Sequence, residues 1–267
     1  MRYISDHDYH IHSQLSLCSN HPEQTTANIL KYGEDNGFKH ICLTDHYWDE
    51  NIPISDFEFY EKQNNSWIDK ALPLPVSDKC KFHFGVETDM DKNMTVGVSE
   101  KMLDRFEFII IPTTHLHMMG FTLDQADNSH ERRAYLYVER FAKLLEKDLP
   151  WNKIGLAHIT CPLLNNTYDK AYLETLKKVD YTALKEQFEK AAKIGLGIEL
   201  NEYIEKYEGE ELETHMNVYR IAKSAGCKFY MGSDAHNPTG LNRAPARFEK
   251  FIDLLDLKEE DKFMPFK

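Results

Sequence analysis

The sequence predicts a single α/β domain whose parallel strands form a barrel. Seven short apolar runs with strand character alternate mostly with helical segments along the 267 residues, and this alternation is typical of a parallel sheet. No break in composition, internal repeat or low-complexity tract divides the chain, so we expect one domain over residues 1–267. Polar side chains follow nearly every run, and the active sites of βα barrels lie at that end of the strands.

Each expected strand is a short apolar run that ends close to a polar residue. The runs lead into residues 8–12 and cover 40–44, 82–86, 106–111, 154–157, 197–201 and 228–231. The run 106–111, Phe-Glu-Phe-Ile-Ile-Ile, is the clearest buried strand because it is almost entirely apolar. We expect the polar residues that follow the runs to meet at one edge of the sheet.

Helical patterns fill most of the intervals between these runs. They cover approximately residues 27–32, 129–147, 181–193, 209–225 and 246–256. Thr25 or Thr26 can cap the first of these helices, and Gly37 can end it. Residues 48–79 form a long irregular excursion, rich in prolines and aromatic side chains, with room for one short helix. Its aromatic stretch 57–68 either covers the site as a lid or packs on the outside of the barrel.

Charge and cysteine content disfavour several classes of protein. The formal net charge is −12 without a Lys/Arg cluster, whereas nucleic-acid-binding proteins usually need a basic surface. The five cysteines are scattered and lack CxxC spacing, which indicates free thiols, and no apolar signal segment follows Met1. No apolar run approaches the roughly 18 residues of a membrane-spanning helix. We therefore expect a cytoplasmic protein that binds neither nucleic acid nor membrane, and the oligomeric state stays open.

Two pairs of potential metal ligands stand near the two ends of the chain. His10 and His12 are one residue apart, as are Asp234 and His236. On a β-strand, residues i and i+2 point to the same face, so each pair directs two donors at one point. This mixture of imidazole and carboxylate suits divalent zinc, manganese or iron.

Further candidate ligands follow other expected strands. A single histidine in such a place is more often structural than a ligand. Several ionisable groups at one edge are different, because burying them together is costly unless cations balance them. The sequence therefore predicts a centre with more than one metal ion, formed by His10, His12, His46, Glu87, His115, His158, Asp234 and His236.

These residues stand in motifs that resemble the PHP family (polymerase and histidinol phosphatase) of metal-dependent phosphoesterases. The resemblance covers almost the whole chain, and it is specific because the motifs occur together and in order, each after an expected strand. It implies a distorted seven-stranded (β/α)7 barrel, TIM-like, that holds two or three divalent ions. The motifs are His10-x-His12-Ser13, Thr44-Asp45-His46, Gly85-Val86-Glu87, Pro112-Thr113-Thr114-His115, Gly155-Leu156-Ala157-His158 and Gly232-Ser233-Asp234-Ala235-His236.

The resemblance also implies how the ligands divide among the ions. The implied sets are His10, His12, Glu87 and Asp234 for one ion; Glu87, His115 and His158 for a second; and His46 and His236 for a third. Where the family has His or Asp, this chain has Cys18, either a zinc ligand or a buried apolar side chain. His21 is the alternative donor, so two and three ions both stay open. His117 could replace His115, although the preceding Pro-Thr-Thr favours His115.

Other residues are candidates for supporting roles. Asp8 and Asp45 could orient ligating imidazoles or be simple turn residues. Asn201 and His117 could face the substrate. Arginines bind phosphate in a bidentate manner, and the candidates for this role are Arg243 and Arg132 or Arg133.

The sequence thus predicts a phosphatase for the phosphate monoester of a small metabolite, similar to histidinol phosphatases in size and single-domain build. A metal-activated water would attack phosphorus in line. We expect Asp45, Asp234 and His236 to act in catalysis, with Asp45 or a histidine protonating the leaving group.

Three other classes of function fit less well. An amidohydrolase-type barrel does not usually carry the Thr-Asp-His and Asp-x-His motifs, and a nuclease or phosphodiesterase of the same fold would need a basic groove. A binding module without catalysis would not need so complete a ligand set.

Overall fold

All strand pairs in the computed structural model are parallel, and they form two sheets. The structure describes residues 1–54, 57–124, 126, 128–165 and 170–266. Within these residues the strands are β1 (His7–Ile11), β2 (His40–Leu43), β3 (Lys81–Phe84), β4 (Val86–Glu87), β5 (Ile109–Ile110), β6 (Ile154–Leu156), β7 (Gly197–Leu200) and β8 (Lys228–Met231). The sheet orders are β1-β2-β3 and β4-β5-β6-β7-β8. The predicted α/β class with parallel strands is therefore confirmed.

Helices lie between most of these strands. In the described residues they are α1 (Thr26–Asp35), α2 (Glu58–Glu61), α3 (Asn65–Ile68), α4 (Glu100–Leu103), α5 (His130–Leu145), α6 (Ala171–Lys177), α7 (Tyr181–Ile194), α8 (Gly209–Ser224) and α9 (Pro238–Leu255). Thr25 caps α1 by accepting a hydrogen bond from the Asn28 amide. α9 begins well before the predicted residue 246, because Asn237 caps it and Pro238 occupies its first turn, where a missing N–H costs nothing.

Gly85 explains why the predicted run 82–86 becomes two strands. A Cβ at this position would overlap the Phe108 carbonyl oxygen and the Cys42 sulfur, so only glycine allows this close approach. Before Gly85 the chain pairs with β2, and after it with β5. The structure therefore has eight strands in its described part, where the sequence predicts seven runs.

The first and last strands are neighbours. The Asp234 amide donates to the His10 carbonyl over 2.8 Å, and the His12 amide donates to the Ala235 carbonyl over 3.2 Å. The two sheets also meet beyond β2, where the Tyr47 amide donates to the Glu87 carbonyl over 2.8 Å. These bonds bring the ends of β1, β4 and β8 together.

A small aromatic core lies among the strands. Tyr9, Phe108 and Tyr230 are fully buried, and the Phe266 ring packs edge-on against Tyr9 with its centroid 5.0 Å away. The C-terminal segment thus covers this core. A much larger apolar core packs the helices around the sheets.

The excursion after β2 contains α2 and α3, one short helix more than predicted. Tyr60 is buried, and the Phe57 ring stacks on Phe121 with centroids 4.5 Å apart. The Phe59 ring lies 5.1 Å from the His46 ring. The aromatic stretch therefore packs on the domain and also borders the predicted site. None of the described helices combines the length and apolarity needed to cross a membrane.

Candidate metal centre

Side chains from both sheets converge in four groups of potential ligand atoms. The atoms within each group lie within 4.8 Å of one another. Two groups are the same as sets that the family resemblance implies: His10, His12, Glu87 and Asp234; and Glu87, His115 and His158. The third adds His12 to the implied pair His46 and His236, and the fourth, His10, His158 and Glu199, is not among the implied sets. A cavity of about 560 Å³ opens over them, so the groups are accessible to a small substrate.

The spacing in the first group fits a bound cation. The Nε2 atoms of His10 and His12 are 3.0 Å apart, and His12 Nε2 lies 3.2 Å from Glu87 Oε2 and 3.1 Å from Asp234 Oδ1. Ligands at about 2.0–2.2 Å from one ion stand roughly 3.0–3.5 Å from each other in tetrahedral or octahedral geometry. The residues present therefore fit a divalent ion.

Hydrogen bonds to the outer nitrogens orient several of these imidazoles. His10 Nδ1 contacts Glu199 Oε1 at 2.5 Å, and His115 Nδ1 lies 3.1 Å from both oxygens of Asp89. His236 Nδ1 contacts the Asp234 carbonyl at 2.8 Å. A proton on Nδ1 leaves a lone pair on Nε2, which is the arrangement of metal-binding histidines.

His12 is held by a relay that the sequence does not reveal. Its Nδ1 lies 2.9 Å from Ser16 Oγ, which in turn donates to Asp45 Oδ1 over 2.7 Å. Ser13 donates to the same carboxylate through its amide and its hydroxyl. Asp45 thus positions His12, through Ser16, and does not position its sequence neighbour His46.

Two buried nitrogens in the groups have no hydrogen-bond partner among the described residues. They are His46 Nδ1 and His115 Nε2. A buried polar atom without a partner costs free energy, and a metal ion would remove that cost at both positions. The unpaired nitrogens, like the spacing of the ligand atoms, therefore indicate that these residues fit divalent ions.

The electrostatics keep the two central carboxylates ionised. Burial by itself raises the pKa of Glu87, but His46 and His10 outweigh it and hold this pKa well below the usual value. Burial likewise opposes ionisation of Asp234, whose pKa His236 and His158 nevertheless lower. Both groups are thus anionic at neutral pH, as metal binding requires.

The backbone is strained at two of the candidate ligands. His158 has φ 57° and Asp234 has φ 50°, in the left-handed region that side chains other than glycine rarely adopt. Such conformations cost about 1–3 kcal/mol and concentrate at functional sites. Gly232 serves the same loop, because a Cβ there would overlap the Glu199 carboxylate that holds His10.

Asp8 and Asp45 differ from the expectations. Asp8 accepts hydrogen bonds from the Ser233 amide at 2.9 Å and the Tyr32 hydroxyl at 2.9 Å, so it links β1 to the last loop and touches no candidate imidazole through its side chain. Asp45 is buried, and both its oxygens accept hydrogen bonds from serines. Asp45 does not line the cavity over the groups, and its role as proton donor to the leaving group stays a prediction.

The structure separates the two alternative donors for the third group. Cys18 Sγ lies 3.0 Å from His236 Nε2 and lines the cavity. His21 instead accepts a hydrogen bond from the Glu23 amide and belongs to none of the four groups. Cys18 is therefore the better placed of the two. His117 lines the cavity beside His115 but also lies outside the groups.

None of the three predicted arginines lines the cavity over the groups. Arg243 is exposed on α9, and the guanidinium of exposed Arg132 lies 4.9 Å over the Tyr135 ring. Arg133 is buried and donates to the carbonyls of Leu116 and Leu164. The expectation that one of them binds phosphate stays a prediction, since in this structure all three guanidinium groups lie away from the lining of the cavity.

A fourth arginine, Arg140, holds the loops that carry Glu87 and His115. It is fully buried in α5 and donates to four backbone carbonyls, those of Met90, Asp91, Thr113 and Thr122. Arg140→Met leaves these acceptors unpaired, so we expect the free energy of unfolding to fall by about 3 kcal/mol or more in urea denaturation. Arg132→Met on the same helix is the control and should change it by about 0.5 kcal/mol or less. Equal values for the two variants would contradict this account.

Two carboxylates at the site are missed by the sequence motifs. Glu199 is buried in β7 beside His10, and Asp89 is buried two residues after Glu87. A charged residue inside the apolar run 197–201 is the signal for the first, and the Glu-x-Asp spacing is the signal for the second. Asn201, a predicted substrate contact, has its amide nitrogen 3.0 Å from His158 Nδ1. It touches a candidate ligand and also lines a neighbouring cavity.

Glu199→Gln tests whether the outer contact of His10 matters. We expect metal affinity to fall about 10- to 100-fold, because the carboxylate sets the tautomer and basicity of the ligand. The measurement is titration of the metal-free protein with zinc in a competing chelator. An unchanged affinity in a correctly folded variant would contradict the role of Glu199.

Comparison with known proteins gives one structural likeness of note. No protein-family model and no curated protein matches the sequence. The crystal structure of histidinol phosphate phosphatase from Lactococcus lactis subsp. lactis Il1403, complexed with zinc, L-histidinol and phosphate, is similar with a TM-score of 0.57 and 16% identity. The match covers 92% of this chain and 93% of that chain.

A second match has too little similarity to carry an argument. The cryo-EM structure of archaeal ribonuclease P with mature tRNA covers 94% of this chain and 91% of that chain at a TM-score of 0.38 and 14% identity. The comparisons therefore show a mixed α/β fold that is similar to that of a zinc-containing phosphatase.

Proposed function

We propose that this protein is a metal-dependent phosphatase that hydrolyses the phosphate monoester of a small metabolite. The observation that carries the proposal is the convergence of eight candidate ligands, from segments spread over the whole chain, beneath one cavity. The fold similarity to a phosphatase complexed with zinc, L-histidinol and phosphate supports the same class of reaction. Zinc, manganese and iron all suit these ligands.

The distances between the candidate ligands indicate which residues would hold each ion. His10, His12, Glu87 and Asp234 would hold one ion, Glu87 would share a second with His115 and His158, and His46 and His236, with Cys18 nearby, would hold a third. When bound, two or three such ions would lower the pKa of a water molecule and neutralise the phosphate oxygens.

The protein's own side chains would orient the imidazoles and donate a proton to the leaving group. Glu199, Asp89 and Ser16 fix the imidazoles in place, which spares reorganisation during the reaction. Of the two predicted acids, His236 lines the cavity and Asp45 does not; His236 would donate a proton to the leaving group only in a two-ion centre, where its Nε2 holds no ion.

The wider predictions belong to the same proposal. We propose that the two sheets are parts of one distorted barrel, in which β3 and β4 are one strand interrupted at Gly85, that residues 1–267 form one domain, and that the protein acts in the cytoplasm. The net charge of −12 argues against a nucleic-acid substrate, so a nuclease of this fold is the weaker candidate.

A substrate screen tests the reaction class. We expect hydrolysis of phosphate monoesters and at least about 100-fold lower kcat/KM for phosphodiesters and carboxamides, because the closely spaced ions suit a dianionic phosphoryl group. Asp234→Asn should abolish the turnover. Hydrolysis of amides in preference to phosphates would favour an amidohydrolase instead, and unchanged turnover in Asp234→Asn would contradict the assigned centre.

A further inference from the structure

The cavity of about 560 Å³ over the candidate metal centre has two kinds of lining. The candidate ligands form one of them. Most of the remainder is apolar, and we call these residues the apolar wall: Phe57, Phe59, Tyr60, Met118, Met119 and Leu163. Among the described residues, neither a lysine nor an arginine lines this cavity. An ester group that extends from a phosphate at the centre would therefore meet mainly apolar surface.

The apolar wall begins directly beside the candidate ligands. The centroids of the Phe59 and Tyr60 rings lie 5.1 and 6.0 Å from that of the His46 ring. Met118 and Met119 follow His115 within four residues of the chain. A molecule bound through its phosphate would thus contact the wall with the atoms next to its ester bond.

The polar lining outside the ligand groups lies against the candidate ligands. Asp89 is fully buried, and both its oxygens lie 3.1 Å from His115 Nδ1. The His117 ring packs edge-on against the His115 ring with centroids 5.4 Å apart, and Cys18 Sγ lies 3.0 Å from His236 Nε2. Polar lining is therefore concentrated at the centre, and the apolar wall adds no charged group to it.

A layer of buried aromatic side chains holds the apolar wall in place. The Phe57 ring stacks on Phe121 with centroids 4.5 Å apart, and the Tyr60 ring lies 5.4 Å from Phe121 and 5.7 Å from Trp48. Trp48 and Phe121 are buried, and the Tyr60 hydroxyl donates to Asp89. The wall is thus formed before a ligand binds, which reduces the free-energy cost of binding.

Part of the apolar wall is open to water. Phe57, Phe59 and Leu163 are only part-buried, and all three line the cavity. Covering apolar surface with an apolar group is favourable, whereas a charged or hydroxylated group would lose hydration there without gaining a partner. The wall therefore favours one kind of ester group over another.

We propose that this cavity selects phosphate monoesters whose ester group is uncharged and apolar, and that the apolar wall recognises that group. The inference rests on the proposed phosphatase function and narrows its substrate class. Bound ions would contact the phosphoryl group of every monoester alike, so the wall would distinguish the esters. Methionine side chains adapt to different shapes, so we expect selection for an apolar character and not for a single alcohol.

Binding of phosphonates tests this inference apart from catalysis, because their carbon–phosphorus bond is not hydrolysed. The probes are 3-phenylpropylphosphonate, propylphosphonate and 2,3-dihydroxypropylphosphonate, titrated into the metal-loaded protein by calorimetry. We expect the phenylpropyl compound to bind about 10- to 100-fold more tightly than the dihydroxypropyl compound, with propylphosphonate between them. Equal affinities, or tightest binding of the dihydroxypropyl compound, would overturn the proposal.

Variants of Phe59 locate the preference at the apolar wall. Phe59→Ser should lower the affinity for the phenylpropyl compound about 5- to 20-fold and leave that for the dihydroxypropyl compound within about twofold. Phe59→Leu keeps an apolar side chain and should retain most of the preference. Tyr135→Ser, at an exposed aromatic position of α5 outside the cavity, is the control. A full preference in Phe59→Ser would contradict the role of the wall, and the wild-type comparison still decides if that variant does not fold.

The failure of this inference differs from failure of the proposed function. Turnover of 3-phenylpropyl phosphate and glycerol 1-phosphate with equal kcat/KM would contradict the apolar wall alone, since both esters release a primary alcohol. Selective binding of the phenylpropyl compound without turnover of any phosphate ester would leave the wall as a ligand site and refute the reaction class.

Discussion

Glu87→Gln is expected to lower phosphatase kcat/KM by roughly 10³-fold or more, because several kcal/mol of transition-state stabilisation depend on the ions. Glu87 is fully buried between two ligand groups and contacts His12 Nε2 at 3.2 Å through Oε2 and His158 Nε2 at 3.0 Å through Oε1. A neutral amide has nearly the same shape but offers one oxygen and no charge. The bridge between the groups is therefore lost while the packing is kept.

The metal content of the variant distinguishes loss of the bridging carboxylate from general loss of the folded structure. Elemental analysis of Glu87→Gln should show at least about one ion fewer per chain than the two or three expected for the wild-type protein. Glu100→Gln in α4 is the matched control, since Glu100 is exposed and belongs to none of the ligand groups. Wild-type turnover and metal content in Glu87→Gln would refute the bridging role.

The sequence predicts that the candidate ligands lie together because they follow the expected strands, and the structure brings them together. Alternate side chains of a strand share a face, and this places His10 and His12 together, with their Nε2 atoms 3.0 Å apart. Asp234 and His236 lie beyond the end of β8, and Asp234 has φ 50°, so the loop and not strand alternation sets their positions. The order of the motifs then supplied Glu87. What brings these positions together is the pairing of β1 with the last loop, through the hydrogen bond from the Asp234 amide to His10.

The residues that support the centre were harder to predict. Ser16 reaches His12 from an irregular loop, and Asp45 acts through that serine, so neither contact follows from a periodic pattern. The contacts of the arginines could not be predicted from the sequence either, because their long side chains can point to solvent, to a carbonyl or to a ligand. Arg140 binds carbonyls from two separate loops, and only the folded chain brings those loops together.

The number of described strands differs from the seven predicted runs for a local reason. The run 82–86 looks continuous in sequence, but Gly85 lets the chain pass from β2 to β5 at one point. Glycine inside a strand pattern often marks such a close approach. The early start of α9 has an equally local cause in the Asn237-Pro238 cap.

Removal of the metal ions is expected to lower the melting temperature by roughly 5–15 °C. An ion that binds only the folded chain stabilises it by about 2.7 kcal/mol at 100 times its dissociation constant and about 4.1 kcal/mol at 1,000 times. For a domain of this size each kcal/mol corresponds to about 2–4 °C. Calorimetry of the wild-type protein with and without a chelator, followed by addition of zinc, measures the effect.

The Glu87→Gln variant shows whether the chelator changes the melting temperature by removing the metal ions. Chelation should shift its melting temperature less than that of the wild-type protein, since the variant has fewer ions to lose. A chelator that acted on the chain in some other way would shift both proteins equally. The metal-free site also keeps Glu87, Asp234 and Glu199 close to several buried imidazoles. Bound cations would balance the charge of these carboxylates while the imidazoles stay neutral. If the chelator left the melting temperature of the wild-type protein unchanged, that result would contradict the proposed metal centre.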